Sequence, residues 1–259
     1  MILVYSVLIH LKTQTKYKIN CFFTIGNSLI FFIINFSLWY TLYKTNYISY
    51  EKFKNTIQHV FLINILNQLI SGDFENIIGN KIINGDIVYS LIQPYNTFFL
   101  LLSEHLAYLL FRFIFFTLPF SFFIFYLFNF NIDYKNLYFF LLSLIFSFII
   151  MISIETIVGL LTIKISQIFG LSLLKNTLVS ILAGLTIPLS YYPTLLRKIF
   201  SFLPFYHALN TPLNLINPNL SKLHLLTSLG IQIVWAISLI MVSYFFWSYL
   251  VRKININGG

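Results

Sequence analysis

The sequence predicts an all-α membrane protein: six transmembrane helices, an amphipathic interface helix at the amino end, a short surface helical segment, and broken re-entrant helices before the last span. Three observations predict it. Of 259 residues, 58% are hydrophobic and 9% charged, against about 25% charged in soluble domains, and mean hydropathy is +0.84. Several uncharged runs are long enough for a helix to cross a bilayer, which takes about 20 residues. Five of the seven prolines crowd between Pro188 and Pro218, between two apolar runs. Proline breaks or kinks a helix.

The elements follow in order. Met1 to Asn20 has an apolar start and then Lys12, Lys16 and Lys18, which predicts a helix lying along the membrane interface. No basic residue precedes its apolar stretch and no small-residue cleavage site follows, so a cleavable signal peptide is not expected. The first span is 22–43, 22 residues without a charge. The second, 55–71, carries His59, Asn64, Asn67 and Gln68 and should face other helices rather than lipid. It has room to begin earlier, near Tyr50. Residues 72–96 are too charged to span. Apolar residues from Ile77 to Leu91 recur at helical spacing, predicting one or two short amphipathic helices at the membrane surface over about 75–94.

The third span is placed at 103–128 and the fourth at 137–163. A loop at 164–175 then leads to a fifth span, 176–189, cut short by Pro188. The proline-rich segment fills 191–217, and the last span is 225–251. Irregular backbone at membrane depth is tolerated only where protein buries it or water reaches it, so this segment is a candidate gate. The whole chain reads as a single transmembrane domain. Six spans put both termini on one side. With that side cytoplasmic, eight basic residues lie inside (Lys12, Lys16, Lys18, Lys81, Lys164, Lys175, Arg252, Lys253) and seven outside (Lys44, Lys52, Lys54, Lys135, Arg197, Lys198, Lys222), with Arg112 uncounted. The three lysines before the first span favour this orientation.

The net charge of +9 sits in loops and at span ends, which points to lipid headgroups and not to nucleic acid. The single Cys21 excludes an intrachain disulfide, and the five histidines lack ligand spacing, so no metal is expected. None of the ten glycines precedes a lysine, so the chain has no P-loop, and no hydrolase motif occurs. Two charged residues inside spans stand out as functional candidates, Glu155 and Arg112. The plainer reading of Glu155 is a snorkelling acid or a partner of Lys164 or Arg112.

Two stretches carry a resemblance. One runs Ala183-Gly184, then Pro188-Leu189, Tyr192-Pro193, Leu203-Pro204-Phe205 and Pro212. The other is Asn84-Gly85-Asp86-Ile87-Val88-Tyr89-Ser90-Leu91-Ile92-Gln93-Pro94. In order and distance they resemble a membrane permease subunit of a type-2 ABC exporter, of the small six-span bacterial kind. Gln93 stands where that family has an arginine, Asn217 where it has a glycine, and Leu161-Thr162-Ile163 where it often has a Phe-Trp pair. The resemblance implies that two permease chains, identical or sister, form the substrate pathway in a bacterial cytoplasmic membrane. It implies separate ATP-binding cassette subunits, which hold ATP and magnesium, and no cofactor in this chain. Residues 75–94 would be the coupling helix, with Gly85, Asp86, Leu91, Gln93 and Pro94 as its ATPase-contact residues. Arg112, Glu155, Gly184, Pro188, Pro193, Pro204 and Pro212 would be pathway or gate residues. The competing readings are a membrane-embedded lipid-modifying enzyme and a non-transporting assembly subunit.

Overall fold

The computed structural model describes residues 2–16, 18–122, 136–215 and 222–251, all helices and short connections. Helices α1 (Ile2–Lys16) and α2 (Lys18–Lys44) precede α3 (Tyr50–Ile70), α4 (Phe74–Ile83) and α5 (Ile87–Ile92). Helix α6 (Thr97–Arg112) continues through a π-helical turn, Phe113–Thr117. Then come α7 (Leu137–Leu160), α8 (Thr162–Ile165), α9 (Ile168–Ala183), α10 (Thr194–Phe202), α11 (Pro204–Leu215) and α12 (Lys222–Val251). Among the described residues, three helical stretches are long and apolar enough to cross a membrane: Thr97–Phe122, Leu137–Ile165 and Leu225–Tyr249. Leu29–Lys44 and Ile168–Ala183 are shorter and apolar. Helix α3 has the length, 21 residues or about 31 Å at 1.5 Å each, but is too polar for that group.

The boundaries correct several expectations. At the expected second span the helix begins at Tyr50, where the Ser49 hydroxyl accepts from the Lys52 amide. The third begins at Thr97 rather than 103, because the Asn96 side chain accepts from the Phe98 amide and caps the helix. The largest shift is in the helix at the expected fifth span. It begins at Ile168, not 176, and ends at Ala183, not 189. Lys175, expected in a loop, is therefore inside a helix. Residues 75–94 are two helices with Gly85 (φ +78°) between them. The amino-terminal helix packs along α6, with Ser6 and Ser103 hydroxyls 2.8 Å apart. The expected end of the third span, most of the loop after it, Asn217 and Pro218 lie outside the described residues.

Helix α7 is the axis of the bundle and meets α3, α4, α9, α11 and α12. Ser143, Ser147, Ser153, Thr156 and Gly159 are buried along it. Small residues let helices approach closely, and in lipid close packing replaces the hydrophobic drive that water supplies. At Gly159 a Cβ would sit 3.1 Å from the Glu75 backbone, so only glycine admits α4 this closely. One apolar core joins Ile63, Leu66 and Ile70 of α3 to Ile150, Met151 and Ile154 of α7, with Leu209 and Leu213 of α11. A second joins Phe74 and Ile78 of α4 to Ile87 of α5, Leu101 of α6 and Leu160 of α7.

Candidate functional site

At the C-terminal end of α3 the chain turns into α4 through Ser71, Gly72 and Asp73, the last in left-handed backbone at φ 56°. This corner collects the buried charges. The Glu155 carboxylate, fully buried on α7, accepts from the Ser71 hydroxyl (2.7 Å) and the Phe74 amide (3.1 Å). Lys175, 1% exposed, places its Nζ 2.8 Å from Glu75, 3.4 Å from Glu155 and 3.6 Å from Asp73. Ser172, one turn before Lys175 on α9, donates to Glu75 at 2.8 Å. One ammonium thus ties three helices, α4, α7 and α9, Ser71 adds the end of α3 through Glu155, and Glu155 pairs with Lys175 rather than with Lys164 or Arg112.

Arg112 reaches the same corner from α6. Its Nη2 donates to the carbonyls of Gln68 (2.8 Å) and Ser71 (2.6 Å), which end α3 without partners of their own. A cation there also suits the negative end of the helix dipole. The π-turn begins at the next residue and ends just before Pro119, whose ring and missing amide disturb the turn before it. The two candidates taken from the sequence therefore meet on one residue, Ser71: Glu155 through its side chain, Arg112 through its carbonyl.

The cluster sets three carboxylates against one lysine. Glu75 lies on α4, outside the spans, with no exposed surface. Burial and then the Glu155 charge push its carboxyl up to about 7, against the pull of Lys175. A buried charge is retained only with a partner, and removing the lysine would leave the acids facing each other.

Helix α4 buries Phe74, Glu75, Ile78 and Gly79 against the bundle, and Lys81 at its end meets Glu104 of α6 at 2.6 Å. Helix α5 is different. Ile87 anchors it, while Tyr89 and Ile92 are 72% and 71% exposed. Asp86, at its N-terminal cap, and Gly85, Gln93 and Pro94 are exposed too; Leu91 is half-buried against the second core. The outward apolar positions are therefore Tyr89 and Ile92.

The broken segment occupies the opposite end of α3. Gly184, at φ +76°, ends α9 with its amide on the Ser180 carbonyl, a conformation glycine adopts without Cβ strain. Pro188 precedes a 3-10 turn, Pro193 precedes α10, Pro204 opens α11 and Pro212 lies in its last turns. Side chains satisfy the backbone freed by these breaks. Asn210 donates to Ala183 O (2.8 Å), Asn64 to Leu185 O (3.0 Å) and Trp235 to Phe202 O (2.9 Å). Gln232 of α12 donates to His207 O, Ser147 Oγ and Ser143 O and accepts from Ser143 Oγ. Helix α11 is thus a buried element of the bundle, and the polar side chains of α3 bond the turns that precede it, Asn64 at Leu185 and Thr56 at Tyr191.

Sequence reasoning missed Lys175, Glu75 and Ser172. A signal existed: Ile168–Ala183 carries no charge but Lys175, and a lone lysine in such a helix calls for a partner, an acid among them. No curated protein matches the chain. A family model described as ABC-2 family transporter protein matches residues 29–258.

Proposed function

The chain belongs to the ABC-2 family of transporter proteins, and from that we propose that it is the six-span permease subunit of an ATP-driven exporter in a bacterial cytoplasmic membrane, with both termini cytoplasmic. It is a transport component of the membrane and not itself a catalyst. ATP and magnesium bind to separate ATPase subunits, and a second permease chain, identical or sister, completes the pathway.

One observation carries the coupling mechanism: α5 exposes Tyr89 and Ile92 while α4, one glycine turn away, is clamped to the bundle by the Lys175 cluster. A short helix with apolar residues on its outer face docks readily in a groove of a partner. ATPase closure displaces α5 and, through it, α4. The cluster passes that displacement to α7 and α9 and, through Ser71, to α3 and Arg112. Helix α3 runs from this corner to the broken segment, where Thr56 meets Tyr191 at 2.8 Å, so movement at one end reaches the gate residues at the other. The ATPase must contact α5 differently in its two states, because equal contact shifts nothing.

The test is co-purification from membranes followed by transport-linked ATPase activity. An ATPase with a P-loop accompanies the wild-type chain, and Ile92→Glu or Pro94→Ala releases it. Lys175→Met, by contrast, keeps the ATPase bound and uncouples hydrolysis from transport. Retention of the ATPase by Ile92→Glu, or its absence from wild-type complexes, rejects the coupling role of α5.

A further inference from the structure

A cavity of about 380 Å³ lies between the N-terminal half of α3, the 3-10 turn, α10 and α11, within the range of small-molecule sites. It is at the far end of α3 from the Lys175 cluster. His59, Tyr206, Asn210, Ser190, Arg197 and Ser201 are among its lining residues. The His59 Nε2 is buried without a hydrogen-bond partner. The Tyr206 oxygen accepts from Asn214 (3.2 Å), which leaves its own proton to donate. No ion pair among the described residues uses Arg197. No carboxylate lines the cavity. The lining therefore has donors and positive charge in excess, the complement of an oxyanion.

The roof of the cavity says where that oxyanion comes from. On α10, Leu195, Ile199 and Phe202 share one face and are 69%, 50% and 69% exposed, and the helix buries no residue. Arg197 and Ser201 are on the other face, which lines the cavity. This is the reverse of a helix on a soluble protein, whose apolar stripe turns inward. A short helix with an apolar face outward and cations beside it lies in the headgroup layer of a bilayer. Phosphate groups are concentrated at that depth. We propose that this cavity is a binding site for the phosphate of an anionic phospholipid headgroup, held by Arg197 with His59 and Tyr206 beneath it. The site holds the 3-10 turn, α10 and α11 together on α3, so an occupied cavity braces the broken segment. This goes beyond the transport reading and does not depend on the ATPase.

The experiment uses the full chain, delipidated in detergent, with phosphatidylglycerol added in mixed micelles and adducts counted by native mass spectrometry. Wild-type protein retains one phosphatidylglycerol in preference to phosphatidylcholine. Arg197→Gln weakens that retention about tenfold, in line with loss of one charge-assisted hydrogen bond. Tyr206→Phe, which keeps the ring and removes the donor, weakens it by a smaller factor. Lys198→Gln, one residue along on the exposed surface of α10, changes it less than twofold. Unfolding midpoints within a few degrees of wild type show that the variants remain folded. Competition by millimolar glycerol 3-phosphate, lost in Arg197→Gln, assigns the same site to a soluble phosphate instead of a lipid. Equal losses in Arg197→Gln and Lys198→Gln reduce the effect to surface charge and overturn the proposal. Lipid and soluble phosphate retention unaffected by Arg197→Gln and Tyr206→Phe overturn it as well.

Discussion

Replacing Lys175 by methionine tests the centre of the clamp. Methionine keeps most of the volume of the lysine stem, so the change is electrostatic and leaves little cavity. Among the described residues it removes the only ammonium within 3.6 Å of Asp73, Glu75 and Glu155. The fold then keeps its two fully buried acids only by protonating them. For a carboxyl with an ordinary value of 4.5, protonation at pH 7 costs about 3.4 kcal/mol, or 2.5 units at 1.36 each. Glu75, near 7 already, contributes only part of such a cost, so the expected loss is about 3–4 kcal/mol, in the range for breaking a buried pair. A surface pair would lose at most about 1 kcal/mol. The penalty should shrink by about 1.4 kcal/mol for each unit that the pH is lowered. The assay is thermal unfolding in detergent, followed by the fluorescence of Trp39, Trp235 and Trp247 at pH 5.5 and 7.0. At about 2–4 °C per kcal/mol, the midpoint falls by roughly 6–16 °C at pH 7 and clearly less at pH 5.5. Lys175→Met with Glu155→Gln recovers more than half of the loss. A shift worth less than about 1 kcal/mol at pH 7, or a larger one that ignores pH, would refute the clamp.

Glu75→Gln isolates the proton. The Glu75 carboxyl is raised from 4.5 to about 7 in the fold, so the folded state holds the proton more tightly than the unfolded one. Its contribution is complete below pH 4.5 and is lost as pH rises through 7, a fall of up to about 3.4 kcal/mol. Unfolding midpoints measured from pH 5 to 8 should show this slope in the wild type and a flatter profile in Glu75→Gln. Gln232→Leu removes four hydrogen bonds from the junction of α7, α11 and α12. Interhelical bonds in membranes average about 0.6 kcal/mol each, so thermal unfolding should report a loss of about 2 kcal/mol, and accessibility labelling of a cysteine placed on α11 should increase.

Much of the site was legible, but in pieces. Glu155 and Arg112 stood out because charge inside a span is costly, and both do reach the α3–α4 corner. Gly85 and Pro94 bracketed a surface helix through their backbone chemistry alone. The partner of Glu155 was misread because Lys175 looked like the end of a loop. A charge among apolar residues lowers local hydropathy whether it meets water or a buried carboxylate. Which apolar side chains of α5 turn outward was not legible in a six-residue helix: Tyr89 and Ile92 are exposed, while Leu91, named from the resemblance, is half-buried.

The sequence by itself determined the membrane class, most helix positions and the breaks at Gly184, Pro188, Pro193 and Pro204. Each follows from a property of the chain at that point: transfer cost, helix length, a missing amide or a missing Cβ. Only the tertiary structure decided that Lys175 is buried, that Ser71 joins Glu155 to Arg112, and that Asn64 of α3 and Gln232 of α12 bond carbonyls of the broken segment, Leu185 and His207, far from them in sequence. Those outcomes depend on which groups share a low-dielectric interior. That is a property of packing: Glu155 and Ser71 are 84 residues apart along the chain and 2.7 Å apart in the fold.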